Sequence, residues 1–406
     1  MARMLFTNCR VFDGTGADLA AADVAVEDGL IVEVGPGLDG DEAVDLGGRA
    51  LLPGLFDTHV HVSFSDVNLF GMVQEPFSLQ FYAAERNLRA TLDAGITTIR
   101  DAGGADLGIK TAVERGWIAG PRMQISLTML SQTGGHGDDW LPSGAQLPLM
   151  STHPGRPDNI VDGPEDMRRK VRELIRGGAD VIKVATSGGV LSPRDDPRHA
   201  HFAMDELEML VAEATAAGRW VMAHAQGTDG IKNAVRAGIR SIEHGIFLDD
   251  EAIEMMLAAG TWLVPTLVAP KGVLDAAEAG AGIPEASLRK AAEVVEVHRE
   301  SFRRAVEAGV KIAMGTDAAV VPHGSNLDEL ALMRDGGMSP ADVLVATTSS
   351  AAELMGLEGD SGTIEPGKRA DLVAVDGDPF DFDGLRGRIA AVWQLGSQVS
   401  GVPFSD

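Results

Sequence analysis

Cysteine is almost absent. Cys9 is the only one in 406 residues, which excludes an intrachain disulfide and a thiolate-rich metal site and fits a reducing cytoplasm. Positive charge is scarce as well: 34 Lys and Arg face 60 Asp and Glu, a formal net charge of −26. A chain this acidic lacks the clustered cations that phosphate backbones require, and anionic lipid headgroups would repel it. Neither nucleic acid nor a membrane is an expected partner. No run of about 18 uncharged apolar residues occurs, and the opening MARMLFTNCRVFDG has neither the basic start nor the continuous apolar stretch of a secretory signal. Aromatics make up only 5%, yet hydrophobic residues reach 45%, which suffices for a large buried core. These absences leave a soluble cytoplasmic protein that acts on small molecules or other proteins. The length accommodates one barrel of about 250 residues or more plus a smaller module.

Two textures divide the chain. Residues 1–55 hold short β-like segments, LFTNCRVF and ADVAVEDGLIVEVG, separated by Gly and Asp turn signals. Residues 357–406 return to the same texture with GTIEPGKRADLVAVDGDPF and RIAAVWQLGSQVSG. Between 56 and 356, eight short apolar segments alternate with stretches of helical composition: GLFDTHVHV, GITTIRDAG, RMQISLTML, DVIKVATSGG, WVMAHAQG, SIEHG, TWLVPTL and KIAMGTDAA. Stretches such as MDELEMLVAEATAAG and ESFRRAVEAG have apolar residues at helical spacing and stop at Gly. The expected fold is α/β: a (β/α)8 TIM barrel over 56–356, with a small composite β-sandwich domain built from both chain ends, 1–55 and 357–406. The units differ in length and wording, so no solenoid repeat is present.

Ten histidines occur, and four of them, His59, His61, His224 and His244, fall late in apolar strand segments. Barrel enzymes place their reactive groups at the C-terminal ends of strands. His59 and His61 form an H-x-H pair, and residues two apart on a strand share a face. Such a pair either shares a metal or consists of two ordinary strand histidines. Asp317 ends the eighth segment, which barrel closure brings beside the first. Lys183 lies within DVIKVATSGG among apolar neighbours, where a bare ammonium costs several kcal/mol. It either snorkels to the strand end or becomes a neutral amine that takes up CO₂ as an anionic carbamate.

These residues carry a resemblance. PGLFDTHVHV, Lys183, His224 in AHAQG, His244 in SIEHG and Asp317 in GTDAA resemble, in this order, the amidohydrolase superfamily. GKRADLVAVD resembles the returning C-terminal sheet of that family, so the likeness covers nearly the whole chain. GGHGD at 134–138, TSGGVLSPRDDP at 186–197 and PHGSNLDEL at 322–330 are most similar to its imidazolonepropionase-like and Xaa-Pro or Xaa-Arg dipeptidase branch. The resemblance implies a centre of two divalent metal ions, Zn²⁺ first, with Mn²⁺ or Fe²⁺ suited to the same N and O donors. His59, His61 and Asp317 would hold one ion and His224 and His244 the other, with carboxylated Lys183 bridging both. Two cations about 3.5–4 Å apart generate hydroxide near neutral pH and polarise a carbonyl. Asp317 would move the proton from water to the leaving amine.

The resemblance also gives His136, in the glycine-flanked loop after segment three, a catalytic role: a hydrogen bond to the substrate or its developing oxyanion. Gln226 stands where many dipeptidase relatives carry a Tyr that binds the substrate carboxylate, which points to a substrate with a different tail. His323 in PHGSN is a candidate substrate contact or an organiser of its loop. Arg194 and Arg198 are either carboxylate binders or exposed loop charges. Asp57, Arg100 and Asp101 are expected to organise strand ends, and His153, His199, His201 and His298 to be ordinary. Gly35, Gly37 and Gly40 spell G-x-G-x-x-G, but Pro36 interrupts them and no helix pattern follows. GDSG at 359–362 lies outside any G-x-S-x-G elbow.

The expected activity is metal-dependent hydrolysis of a peptide or amide bond in a small molecule, a dipeptide or N-acyl amino acid, by a homo-oligomer. The alternative within hydrolases is a cyclic amide, carbamate, urea or ester substrate. Lys183 argues against a strict imidazolonepropionase, since those relatives use a single metal. The contrasting class is a non-catalytic scaffold, which the six filled ligand positions disfavour.

Overall fold

A computed structural model of the chain describes residues 2–403 except 142, 148, 149 and 193. The molecule is α/β with mixed sheets, of the TIM-barrel type. Its central strands run parallel in two arcs. One arc joins Leu55–Val60, Ile96–Asp101 and Arg122–Ile125. The other runs from Met129–Leu130 through Val181–Ala185, Trp220–Ala225 and Ser241–His244 to Trp262–Val264. The first seven expected segments all lie in these arcs. The third departs from expectation, because RMQISLTML is two strands rather than one. Leu127, with φ +70°, breaks the ladder, so Arg122–Ile125 pairs backward with Ile96–Asp101 and Met129–Leu130 pairs forward with Val181–Ala185.

The eighth segment forms no regular strand among the described residues. It is nonetheless clasped on both sides. Leu263 N donates to Lys311 O (2.8 Å) and Ala313 N to Leu263 O (3.1 Å), while Thr58 N donates to Met314 O (2.9 Å) and His61 N to Ala318 O (2.8 Å). Positive φ angles at Asp317 (+59°) and Ala319 (+124°) prevent an extended run. Gly315 lets the segment lie this close, since a Cβ there would stand 2.5 Å from Val264 and 2.9 Å from His59. The ring is thereby closed between the seventh segment and the first.

Helices follow the strands and bury one stripe each against the ring. Pro164–Arg176 starts with Pro at its first turn followed by Glu165 and Asp166, which suit the positive end of the helix dipole. Glu285–Ala308 ends at Gly309 in the left-handed conformation. Ile99, Ile125, Val184, Ile242 and Leu263 on the strands meet Leu88, Leu174, Leu207 and Ile231 on the helices, all buried. Each such side chain stabilises the fold by about 1.5–3 kcal/mol.

The chain ends form two further sheets, the first from N-terminal strands alone. One orders Leu30–Gly35, Asp23–Glu27, Met4–Thr7 and Glu42–Asp45. The other orders Ser397–Gly401, Ile389–Gln394, Leu372–Val375, Ala50–Pro53, Arg10–Val11 and Ala20–Ala21, so three C-terminal strands join three N-terminal strands where Leu372–Val375 pairs antiparallel with Ala50–Pro53. A separate apolar cluster, including Val24, Ile31, Leu51 and Leu372, joins the two sheets, with Phe6 edge-on to Trp393 at 5.1 Å. Among the described residues no helix is long and apolar enough to cross a membrane.

Candidate functional site

His59, near the end of its strand, is buried and held by an acid that spacing did not single out. Its Nδ1–H donates to Glu243 Oε2 at 2.7 Å, and Arg100 Nη2 (3.0 Å) and Ser241 Oγ (2.5 Å) donate to Glu243 Oε1. The Nε2 lone pair is thereby turned inward, 3.5 Å from Lys183 Nζ and 3.6 Å from Asp317 Oδ1. The neighbouring histidines repeat the device. His61 Nδ1–H donates to Gly103 O at 2.7 Å, leaving Nε2 at 3.2 Å from Asp317 Oδ1. His244 Nδ1 pairs with Thr266 Oγ1 at 2.7 Å, and His224 Nε2–H donates to Gly188 O at 3.1 Å, which frees Nδ1. Outer hydrogen bonds of this kind fix the ring and tautomer of a metal-ligating histidine.

The rings are close. His244 lies 5.1 Å from His59 and 4.8 Å from His224 between centroids, and His59 and His61 are 5.5 Å apart. One donor atom each from His59, His244 and Asp317 fall within 4.8 Å of one another. Asp317 and His244 both have positive φ, +59° and +74°, a backbone cost that functional sites often carry.

Electrostatics prepare these groups as ligands. Burial pushes His59 and His224 well below the usual imidazole range and His244 down to about 3, so the three rings stay neutral and keep a lone pair. Burial pulls His61 the same way, but the hydrogen bond and charge of Asp317 prevail and raise it. Burial also opposes ionisation of Asp317, and the His61 hydrogen bond with the surrounding imidazoles overrides it, holding the carboxyl well below its usual range. Lys183, 1% exposed, is lowered by burial to about 8. Its Nζ does not snorkel, because it points at His59 Nε2 and no carboxylate pairs with it among the described residues. Four imidazoles, a carboxylate and an amine that is easily neutralised make a donor set suited to divalent cations of the zinc type. The site is a possible metal centre.

The centre forms the floor of a cavity of about 240 Å³ whose walls are mostly apolar, including Phe64, Met72, Met129, Leu147, Ile246 and Val273. Gln226 also lines it, buried, with no hydrogen-bond partner for Oε1 among the described residues. Arg194 reaches the rim with its guanidinium 4.9 Å from the Trp140 ring. His136 enters from the loop after the third segment and stacks on His224 at 4.1 Å.

His323 departs from the expected substrate contact. It is buried away from the cavity lining, and its Nε2–H donates to Phe64 O at 3.0 Å, which ties down the loop after the first strand. Arg198 also stays outside, over Phe247 and beside Asp196 and Glu293. Asp57, Arg100 and Asp101 organise strand ends. Asp57 accepts from Thr316 and Asn326, Arg100 donates to Thr58 O, and Asp101 accepts from Val62, Gly103 and Ala105. Sequence reasoning missed Glu243, Thr266 and His298. His298 lines the cavity and donates from Nε2 to His244 O at 2.8 Å. Only Glu243, an acid inside a strand two residues after Ser241 and directly before His244, carried a local signal.

Known proteins resemble this chain over most of its length. Residues 50–401 match the profile of the Amidohydrolase family. The ochratoxinase of Aspergillus niger is 35% identical over 390 residues, covering 91% of this chain and 80% of that protein. The imidazolonepropionase of Rhizorhabdus wittichii is 28% identical over 385 residues, 87% of each chain. The crystal structure of a Xaa-Pro dipeptidase with methionine bound in its active site superposes with a TM-score of 0.89 at 32% identity, covering 98% of this chain and 100% of the other.

Proposed function

Because this chain belongs to the amidohydrolase family and is a hydrolase acting on carbon–nitrogen bonds, we propose that it cleaves the amide bond of a dipeptide or N-acyl amino acid at a binuclear metal centre. The observation that carries this reading is the convergence of His59, His61, Lys183, His224, His244 and Asp317 on the floor of one apolar cavity. His59, His61 and Asp317 would hold one ion, and His224 and His244 the other. Lys183 would join the donor set once its neutral Nζ adds to CO₂, an N–C bond forming as a C=O π bond and an N–H bond break and one proton passes to solvent. When bound, two divalent cations acidify water and polarise the scissile carbonyl.

The protein's own groups do the rest. Asp317, ionised among the imidazoles, takes the proton from the attacking water and passes it to the departing amine. His136 hydrogen-bonds the substrate as negative charge develops on its carbonyl oxygen. The apolar walls exclude water and favour a hydrophobic acyl group. Gln226, in the place of a tyrosine, presents an unsatisfied amide to the substrate tail. The two sheets formed by the chain ends are read as one β-sandwich domain, 1–55 with 357–406, beside the barrel of 56–356.

A substrate panel tests the function. Dipeptides, Xaa-Pro included, and N-acyl amino acids with small and bulky aromatic acyl groups are assayed beside lactams, carbamates, ureas and esters. Chelator-sensitive cleavage of the first group, restored by Zn²⁺ or Mn²⁺, is expected. Cleavage confined to the second group overturns the substrate assignment, and turnover that survives complete metal removal overturns the metal centre.

A further inference from the structure

His136 is not merely near the centre; a set of side chains from two other segments pins it there. Its Nδ1 lies 2.7 Å from Ser192 Oγ and 3.5 Å from Asp195 Oδ2. Ser192 commits its own proton to Asp195 Oδ1, so the shorter bond takes its hydrogen from His136 Nδ1. Nε2 is then the nitrogen left for a ligand, and it has no partner among the described residues. One face of the ring stacks on His224 at 4.1 Å with only 16° between the planes. Gly189 borders it as well, since a Cβ at that position would stand 2.2 Å from His136 Cε1.

Asp195 is itself immobilised. Its side chain is 5% exposed, and Lys290 Nζ from the long helix Glu285–Ala308 reaches Oδ1 at 3.2 Å. The same ammonium donates to Gly189 O (3.0 Å) and Ser192 O (2.7 Å), and Gly189 N donates to Asp195 Oδ2 at 3.1 Å. A buried carboxylate and ammonium are costly to maintain unless each is paired and fully hydrogen-bonded. Here the cost is met by a hydrogen-bonded network that reaches the cavity through Ser192 and the His136 ring. Stability alone would be served as well by apolar side chains of similar volume, so the arrangement needs another reason.

We infer that Asp195, through Ser192 and anchored by Lys290, is a positioning residue that fixes the ring plane of His136 and aims Nε2 at the substrate. This rests on the reading of His136 as a substrate contact. The network also links the 186–198 segment to the helix Glu285–Ala308, so the aim of one imidazole depends on three separate parts of the chain.

A double-mutant cycle tests it on the metal-loaded enzyme with its best amide substrate. Asp195→Ala is expected to lower kcat at least tenfold, with KM within about twofold and metal content unchanged. His136→Ala with Asp195→Ala should be no slower than His136→Ala alone, because both changes remove one function. Asp195→Asn keeps an acceptor for Ser192 and should retain much of the activity, which also provides a folded variant should the alanine fail. Independently of turnover, ¹⁵N-histidine NMR should show the His136 signal, assigned by its absence in His136→Ala, moving in the Asp195 variants. Wild-type turnover in Asp195→Ala while His136→Ala is impaired overturns the inference. So do multiplying losses in the double variant, or an unmoved His136 signal. A wild-type enzyme without metal-dependent amidase activity instead defeats the functional reading, and the NMR result then stands by itself.

Discussion

Lys183 separates two kinds of enzyme, because a centre built on one ion has no use for a bridging carbamate. Replacing it with Ala should reduce kcat by more than the roughly 10–100-fold that loss of an outer hydrogen-bond partner costs. A small carboxylic acid added to that variant should restore part of the rate by occupying the bridging place. Steady-state kinetics with and without the acid decide the matter, and an unimpaired variant would remove the bridge. Glu243 makes the complementary case. It touches no candidate cation but orients His59, so Glu243→Gln should weaken metal affinity by about 10–100-fold while leaving the fold intact; competition with a chromophoric chelator measures this. The candidate ligands stood out in the sequence because imidazoles in apolar strand segments are conspicuous. Their supports were not, since Thr266 and His298 owe their roles to where two distant elements happen to pass His244.

Among the elements, the eighth segment best shows what patterning reveals and what it misses. Its apolar run and its position after a long helix identify it as the piece that completes the ring. Its lack of regular strand geometry follows from backbone angles at Asp317 and Ala319 that apolar spacing cannot encode. The split of the third segment at Leu127 has the same origin. Gly315 is where the eighth segment is most constrained, wedged between Val264 and His59. Gly315→Ala should therefore destabilise the protein by about 1–3 kcal/mol through overpacking and should lower metal content by pushing on His59. Denaturant unfolding and metal analysis of the same sample would reveal either effect, and an Ala variant as stable and as metal-rich as the parent would show that the wedge yields freely.

For the molecule as a whole, alternating strand and helix texture made the α/β class and barrel type readable, because a parallel ring requires that rhythm. The acidic balance spoke only to partners; the pH dependence of stability is readable at particular buried groups. Glu329 is fully buried and accepts from Leu267 N and Val268 N, yet burial pushes it from 4.5 up to about 8. The folded chain thus holds a proton that the unfolded chain releases. The stability from this residue is complete below about 4.5 and is lost as pH rises through about 8, at up to about 1.4 kcal/mol per pH unit. Glu329→Gln should flatten that decline relative to the parent in denaturant midpoints measured between pH 5 and 8, and parallel curves would refute it. Metal should act at the same scale, since a cation present at about 1,000 times its dissociation constant stabilises the folded chain by about 4 kcal/mol. Calorimetry should therefore show a higher Tm on loading, with a smaller rise in Lys183→Ala.

The clasping of the first strand from far along the chain has a further consequence. Phe56 N donates to Thr347 O at 2.8 Å, and Asp317 N donates to His59 O at 2.8 Å. During synthesis, therefore, the earliest histidines wait for partners translated some 250 residues later. Any cation that needs Asp317 as a ligand could therefore be captured only after that late residue has been made.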